Sequence, residues 1–151
     1  MRLYVVRHGE AEPTAPTDAQ RPLTRHGRAA VSRLWASLRD DGHEPSILIS
    51  SPYIRAVQTA DEIARYYPGI ERREEALIVP EAAPGAVLEW LVQASLPDRA
   101  TLVSHMPLVA LLTGLLVDGA GARVPFTVGT VACLEVEVMA EQGARLLWTR
   151  G

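Results

Sequence analysis

Two histidines and two arginines of this chain stand where apolar runs end, and together they ask for an anion. Leu3 to Val6 lead straight into Arg7, His8 and Gly9. Ile47 to Ile49 lead into Ser50, Ser51 and Pro52, with Arg55 shortly after. Thr101 to Val103 lead into Ser104, His105 and Met106, and Ala76 to Val79 deliver Pro80 and Glu81. The planar fork of arginine suits the oxygens of a phosphate group. Two histidines and Glu81 are also a set that zinc accepts, but Arg7 and Arg55 would repel a divalent cation. No metal and no cofactor is therefore expected. Gly9 lets the backbone come close to a ligand. Arg55 is placed in the first turn of a helix, where a cation opposes the macrodipole at a cost of roughly 0.3–1 kcal/mol. Something anionic should offset it.

Phosphoryl transfer rests mostly on positioning and charge neutralisation, and a covalent route adds a nucleophile. All 15 basic residues are arginine, so lysine-dependent chemistry is excluded, both a Walker-type phosphate loop and a Schiff base. Cys133 lies in an expected tail strand with no arginine-containing loop after it. No G-x-S-x-G elbow is present, and no aspartate pair closes a strand. His8 remains. The arginines around it are expected to lower its pKa and leave one ring nitrogen free to attack. His105, Arg7 and Arg55 would then donate to the phosphoryl oxygens. His26 and His43, within and after a surface helix, are read as solvated, and Trp90 as helix packing.

The elements that must bring these residues together are short and alternating. Leu3–Val6, Ile47–Ile49, Ala76–Val79 and Thr101–Val103 read as buried strands. Thr24 caps a helix running to about Asp41, whose Ala30, Val31, Leu34, Trp35 and Leu38 follow the i, i+3, i+4 rule. Ser51 reads as an N-cap and Pro52 as the first residue of a second helix, which stops before Pro68–Gly69. Pro84 opens a third helix with Val87, Leu88, Leu91 and Val92, and Pro107 a fourth, almost wholly apolar, to about Val117. Thr130–Val138 and Ala144–Thr149, separated by Glu141–Gly143, read as a hairpin. The implied fold class is α/β: a three-layer sandwich with a mostly parallel central sheet and an antiparallel edge from the C-terminal hairpin. Ligands of such sheets bind at the carboxyl ends of the strands.

The totals fit this reading. The 151 residues suit a single domain. The chain is 48% apolar and 22% charged with net charge −3, which gives a nucleic-acid binder no support. One cysteine allows no intrachain disulfide and suggests a cytoplasmic setting. The four apolar residues before Arg7 are too short for a signal-peptide core or a membrane span, and no membrane partner is expected.

Four blocks in order carry a family resemblance over nearly the whole chain: "VVRHGEA", "RPLTRHG", "SSPYIRAVQTA" and "VSHMPLV". The sequence resembles the histidine phosphatase superfamily, with its phosphoglycerate-mutase-like fold, and is similar to the short SixA-type phosphohistidine phosphatases. The resemblance implies that His8 is phosphorylated and then hydrolysed, and that Arg7, Arg55 and His105 form the phosphate pocket. Arg21, in "RPLT", resembles a phosphate-contacting arginine; the other reading is a loop cation near Asp18. Glu81 matches the position of a proton-donating acid in larger relatives; the other reading is a solvated turn residue, with Glu10 and Glu12 as rival donors. About twenty residues separate Glu81 from Thr101, enough for one helix and no cap insertion, so residues 1–151 are expected to form one histidine phosphatase domain. An uncapped pocket favours hydrolysis over mutase chemistry. The expected activity is thus a metal-independent phosphatase acting on protein phosphohistidine. The alternatives are a phosphomonoesterase of small metabolites such as nucleotide or sugar phosphates, and a non-catalytic phosphate-binding module.

Overall fold

A computed structural model describes residues 1–151. Strand β1 (Arg2–Arg7) opens the chain, and helix α1 (Arg25–Asp40) follows a single 3-10 turn at Asp18–Gln20. Strand β2 (Ile47–Ser50), helix α2 (Ile54–Ala64), strand β3 (Glu71–Glu74) and helix α3 (Pro84–Ala94) come next. Strand β4 (Ala100–Ser104), helix α4 (Leu108–Val117), β5 (Val131–Val136) and β6 (Ala144–Arg150) complete the fold.

The six strands form one sheet in the order β3-β2-β4-β1-β5-β6. The first four run parallel, while β5 and β6 pair antiparallel at the other edge. The three-layer α/β sandwich expected from the alternating pattern is therefore the observed architecture. Period-two alternation along β1 shows why. Tyr4 and Val6 face one core with Val31, Trp35 and Leu38 of α1 and Ala56, Ala60 and Ile63 of α2. Leu3 and Val5 face a second core with Val87 and Leu91 of α3 and Leu108, Leu112 and Leu116 of α4. A strand covered on both faces needs apolar residues at every position, and those were the runs visible in the sequence.

Helix α1 is capped as expected: Thr24 Oγ1 accepts from Gly27 N at 2.8 Å. Pro84 opens α3, and half-buried Trp90 packs against the core. No helix is long and apolar enough to cross a membrane.

Two expectations are corrected. Ala76–Val79 is not the third strand; β3 is Glu71–Glu74, charged and exposed along its length. An edge strand of this kind is protected by its charges, so it carries no apolar signal. Ile78 is buried and Leu77 half-buried because their loop folds back onto the core beside α3. Helix α2 begins at Ile54, with Tyr53 as its N-cap. Pro52 lies in the bend before it, and the Ser51 hydroxyl turns to other partners.

Candidate active site

Strand order assembles the site. Because β4 lies between β2 and β1, the residues that follow their carboxyl ends become neighbours. The His8 and His105 rings stand 5.1 Å apart, centroid to centroid, tilted by 57°. Arg55, one residue into α2, donates its Nε–H to His8 Nε2 at 3.2 Å. His8, Arg55 and His105 are all buried. Residues 47 and 97 positions apart from His8 thus meet it, as the reading of strand ends expected.

The His8 bonds define its proton. Nδ1 lies 2.7 Å from the Gly9 carbonyl oxygen. A carbonyl only accepts, so Nδ1 carries the hydrogen. Nε2 accepts from Arg55 and therefore holds its lone pair. The imidazole is neutral, with its unprotonated nitrogen turned toward a guanidinium. Its pKa is pushed down to about 4, first by burial, while the Gly9 bond acts in the opposite direction. Arg55, Arg7 and Arg21 lower it further. Removal from water, not the arginine cations expected from the sequence, is the larger cause. His105 is pushed down to about 3, again first by burial and then by His8 and Arg55.

Arg7, next to His8 in the chain, is half-buried. It donates from one Nη to the Phe126 carbonyl at 3.0 Å, and its Nε is buried with no partner. Gly9 N donates to Thr59 Oγ1 at 3.0 Å, and Thr59 donates in turn to the Arg55 carbonyl at 2.7 Å. A β-carbon on Gly9 would stand 2.8 Å from a Val31 methyl, so the close approach that favours glycine here is to α1.

The anion that Arg55 requires comes from the chain itself. Its two Nη atoms donate to the Asp18 carbonyl at 2.6 Å and to Asp18 Oδ2 at 3.1 Å. Arg21 donates to Asp18 Oδ1 at 2.9 Å and to the Glu12 carbonyl at 2.7 Å. Arg21 is thus the loop cation beside Asp18 that one reading expected, and its partner Asp18 is also the partner of Arg55. The carboxyl of Asp18 is held below the usual carboxylate range, first by the Arg21 bond and then by Arg55.

Four further residues stand at the site: Thr59 and Tyr53, which the sequence did not mark, and Asp18 and Ser51, which it marked for other roles. Asp18 sits in a loop 37 positions from Arg55, with no local signal beyond its i+3 spacing to Arg21. Thr59 is one turn after Arg55, on the same helical face, and that spacing was readable. The Tyr53 ring lies 5.0 Å from the His105 ring and 5.1 Å from the Arg55 guanidinium carbon. Ser51, read as a cap, instead places its Oγ 2.7 Å from His105 Nε2.

Glu81 is exposed before α3 and shares no hydrogen bond or ion pair with these groups. Glu10 accepts from Thr24 Oγ1 at 2.9 Å. Glu12 is exposed and meets Arg21 only through its backbone. No three His, Cys, Asp or Glu side chains cluster as a metal-ligand set. His26 is exposed as expected. His43 is half-buried rather than fully solvated: its ring packs 4.8 Å from Trp148 and its Nδ1 lies 3.3 Å from the Tyr4 hydroxyl. Burial lowers its pKa.

The profile of the histidine phosphatase superfamily (branch 1) matches residues 3–77. The phosphohistidine phosphatase SixA of Escherichia coli K12 is 31% identical over 144 residues, which cover 91% of this chain and 86% of that protein. A SixA homologue of Haemophilus influenzae is 30% identical, over 72% of this chain and 73% of that one. The structure of a protein histidine phosphatase SixA complexed with tungstate superposes with a TM-score of 0.87 at 24% identity, covering 100% of this chain and 97% of the other.

Proposed function

This chain belongs to the histidine phosphatase superfamily and is a hydrolase of the phosphatase class; from that premise we propose that it hydrolyses protein phosphohistidine through an intermediate on His8. The observation that carries the reading is the His8 tautomer, with hydrogen on Nδ1 and a lone pair on Nε2. A nucleophile already neutral and desolvated needs no separate base to release it.

In the first step, His8 Nε2 attacks phosphorus, and the bond from phosphorus to the substrate nitrogen breaks. The leaving imidazole keeps that electron pair and takes a proton from solvent. Once Nε2 is bonded to phosphorus, Arg55 Nε–H loses its acceptor and turns to a phosphoryl oxygen. His105 and Arg7 would donate to the same group, while the Gly9 N–H stays with Thr59 and Arg21 stands behind Asp18. Charge-assisted bonds of this kind are the stronger class of hydrogen bond. In the second step, water attacks the phosphoryl group, releases inorganic phosphate and restores the His8 lone pair.

Openness favours a substrate carried on another protein. Between β3 and β4 the chain holds only α3 and the loops on either side of it, with no inserted element to close over the pocket. Water then reaches the phosphoenzyme, and a phosphorylated side chain reaches His8.

The test compares wild type with His8→Ala on p-nitrophenyl phosphate in EDTA, then sets phosphohistidine proteins against nucleotide and sugar phosphates. Wild-type turnover in EDTA, lost in His8→Ala and greatest on phosphohistidine, is expected. Activity surviving His8→Ala removes the nucleophile, and loss in EDTA restores a metal. Preference for metabolites would assign a small-molecule phosphomonoesterase. Binding without turnover would assign a phosphate-binding module.

A further inference from the structure

His105 carries a polar atom that nothing in the fold serves. Its ring is buried, its Nε2 lies 2.7 Å from Ser51 Oγ, and its Nδ1 has no hydrogen-bond partner. Buried polar groups without partners are few in native structures, and each calls for a reason.

The serine decides where the ring proton sits. Ser51 is fully buried, and its Oγ accepts the Tyr53 backbone N–H at 3.2 Å. A hydroxyl has also one proton to give. His105 Nε2 is the one other hydrogen-bond partner that this oxygen has. If Nε2 carried hydrogen and donated to Oγ, the serine proton would be left buried with no acceptor. When the serine donates to Nε2 instead, the chain from Tyr53 N–H through Ser51 O–H to His105 is complete. The imidazole proton then stands on Nδ1.

We propose that Ser51 is a positioning residue that fixes His105 as the Nδ1–H tautomer, so that its free nitrogen meets a phosphoryl oxygen as a donor. A lone pair at that place would repel an anionic oxygen. The buried Nε–H of Arg7, also without a partner, is a second donor left unserved at the end of neighbouring β1. The ring of His105 is held neutral, with a pKa of about 3, so the tautomer and not its charge sets what it offers. The tautomer stands on geometry alone. Its use in catalysis rests on the reading of His8 as the phosphorylated residue.

The experiment is a long-range proton–nitrogen correlation spectrum of protein labelled with nitrogen-15 histidine, at pH 7, with His105 assigned by the signal lost in His105→Gln. The wild type is expected to show His105 as Nδ1–H. In Ser51→Ala the ring should shift toward Nε2–H. The kcat on p-nitrophenyl phosphate should fall at least tenfold, more than KM changes, and Ser51→Thr, which keeps the hydroxyl, should restore part of it. Wild-type His105 found as Nε2–H overturns the proposal even if Ser51→Ala fails to fold. So does a folded Ser51→Ala with an unchanged tautomer and unchanged kcat. Activity persisting in His8→Ala while His105 remains Nδ1–H would sink the catalytic reading and leave the role of Ser51 in the tautomer standing.

Discussion

Lowering the pH from 7.5 to 5 should cost this protein stability through His8, and replacing His8 should remove that share of the cost. The folded pKa of His8 is about 4, against about 6.5 for an unperturbed imidazole. The folded state binds this proton more weakly than the unfolded chain, so protonation favours unfolding. The contribution is complete above pH 6.5 and is lost as pH falls through the window from 6.5 to 4. At pH 5 the unfolded imidazole is almost fully charged and the folded one mostly neutral, a loss of about 2 kcal/mol. That is a large part of a total stability of about 5–15 kcal/mol. Urea unfolding of wild type and His8→Gln at both pH values measures it. Glutamine keeps an amide N–H for the Gly9 carbonyl and takes up no proton. His105 and the carboxylates remain in both proteins, so their linkage largely cancels in the difference. The wild type should lose about 2 kcal/mol more than the variant. Equal losses would mean that the fold does not hold His8 neutral, and the argument for a ready lone pair would go with it.

Asp18→Asn should tighten inhibition by vanadate or inorganic phosphate about three- to fivefold. The carboxylate competes with anions for Arg55 and Arg21, and a pair this exposed is worth up to about 1 kcal/mol; a weaker inhibitor constant would refute the competition. Gly114→Ala should lower stability by about 1–3 kcal/mol, because its β-carbon would meet the Ala122 carbonyl oxygen at 2.0 Å. Gly85→Ala, with nothing within 4 Å of the added carbon, is the control and should melt close to wild type. An unchanged melting temperature for Gly114→Ala would mean that α4 and the 119–124 turn are not packed as described.

What could be read from the sequence follows from what each residue must satisfy locally. Leu3–Val6 and Ile47–Ile49 are buried on both faces, so burial wrote them as unbroken apolar runs. The residues ending those runs inherited a common edge, and His8, Arg55 and His105 were legible for that reason. Strand β3 has the opposite need: an exposed edge is served by charge, and Glu71–Glu74 resembles a loop until its backbone pairs with β2. Ser51 shows a different failure. Serine before proline fits a helix cap locally, and only the fold reveals a histidine 54 positions away competing for the same hydroxyl. Asp18 showed only its local pairing with Arg21, since its second partner is a guanidinium on another element.

Arg55 joins these partners, and the planar fork of its guanidinium is what lets one side chain hold them all. One guanidinium serves His8 through Nε and Asp18 through both Nη atoms, three bonds diverging in one plane. Lysine offers one point charge on a flexible stem and cannot reach all three acceptors at once. If charge alone were needed, Arg55→Lys would retain most of the wild-type kcat/KM, and Arg55→Ala would lose it. If the fork is needed, both variants should fall at least tenfold, as expected when a charge-assisted bond worth about 1.5–3 kcal/mol is lost. Unfolding curves would confirm that each variant remains folded. A lysine variant within about twofold of wild type, well under 1 kcal/mol, would show that His8 needs only a nearby cation. The planar geometry would then be a property of the resting site and not of the reaction.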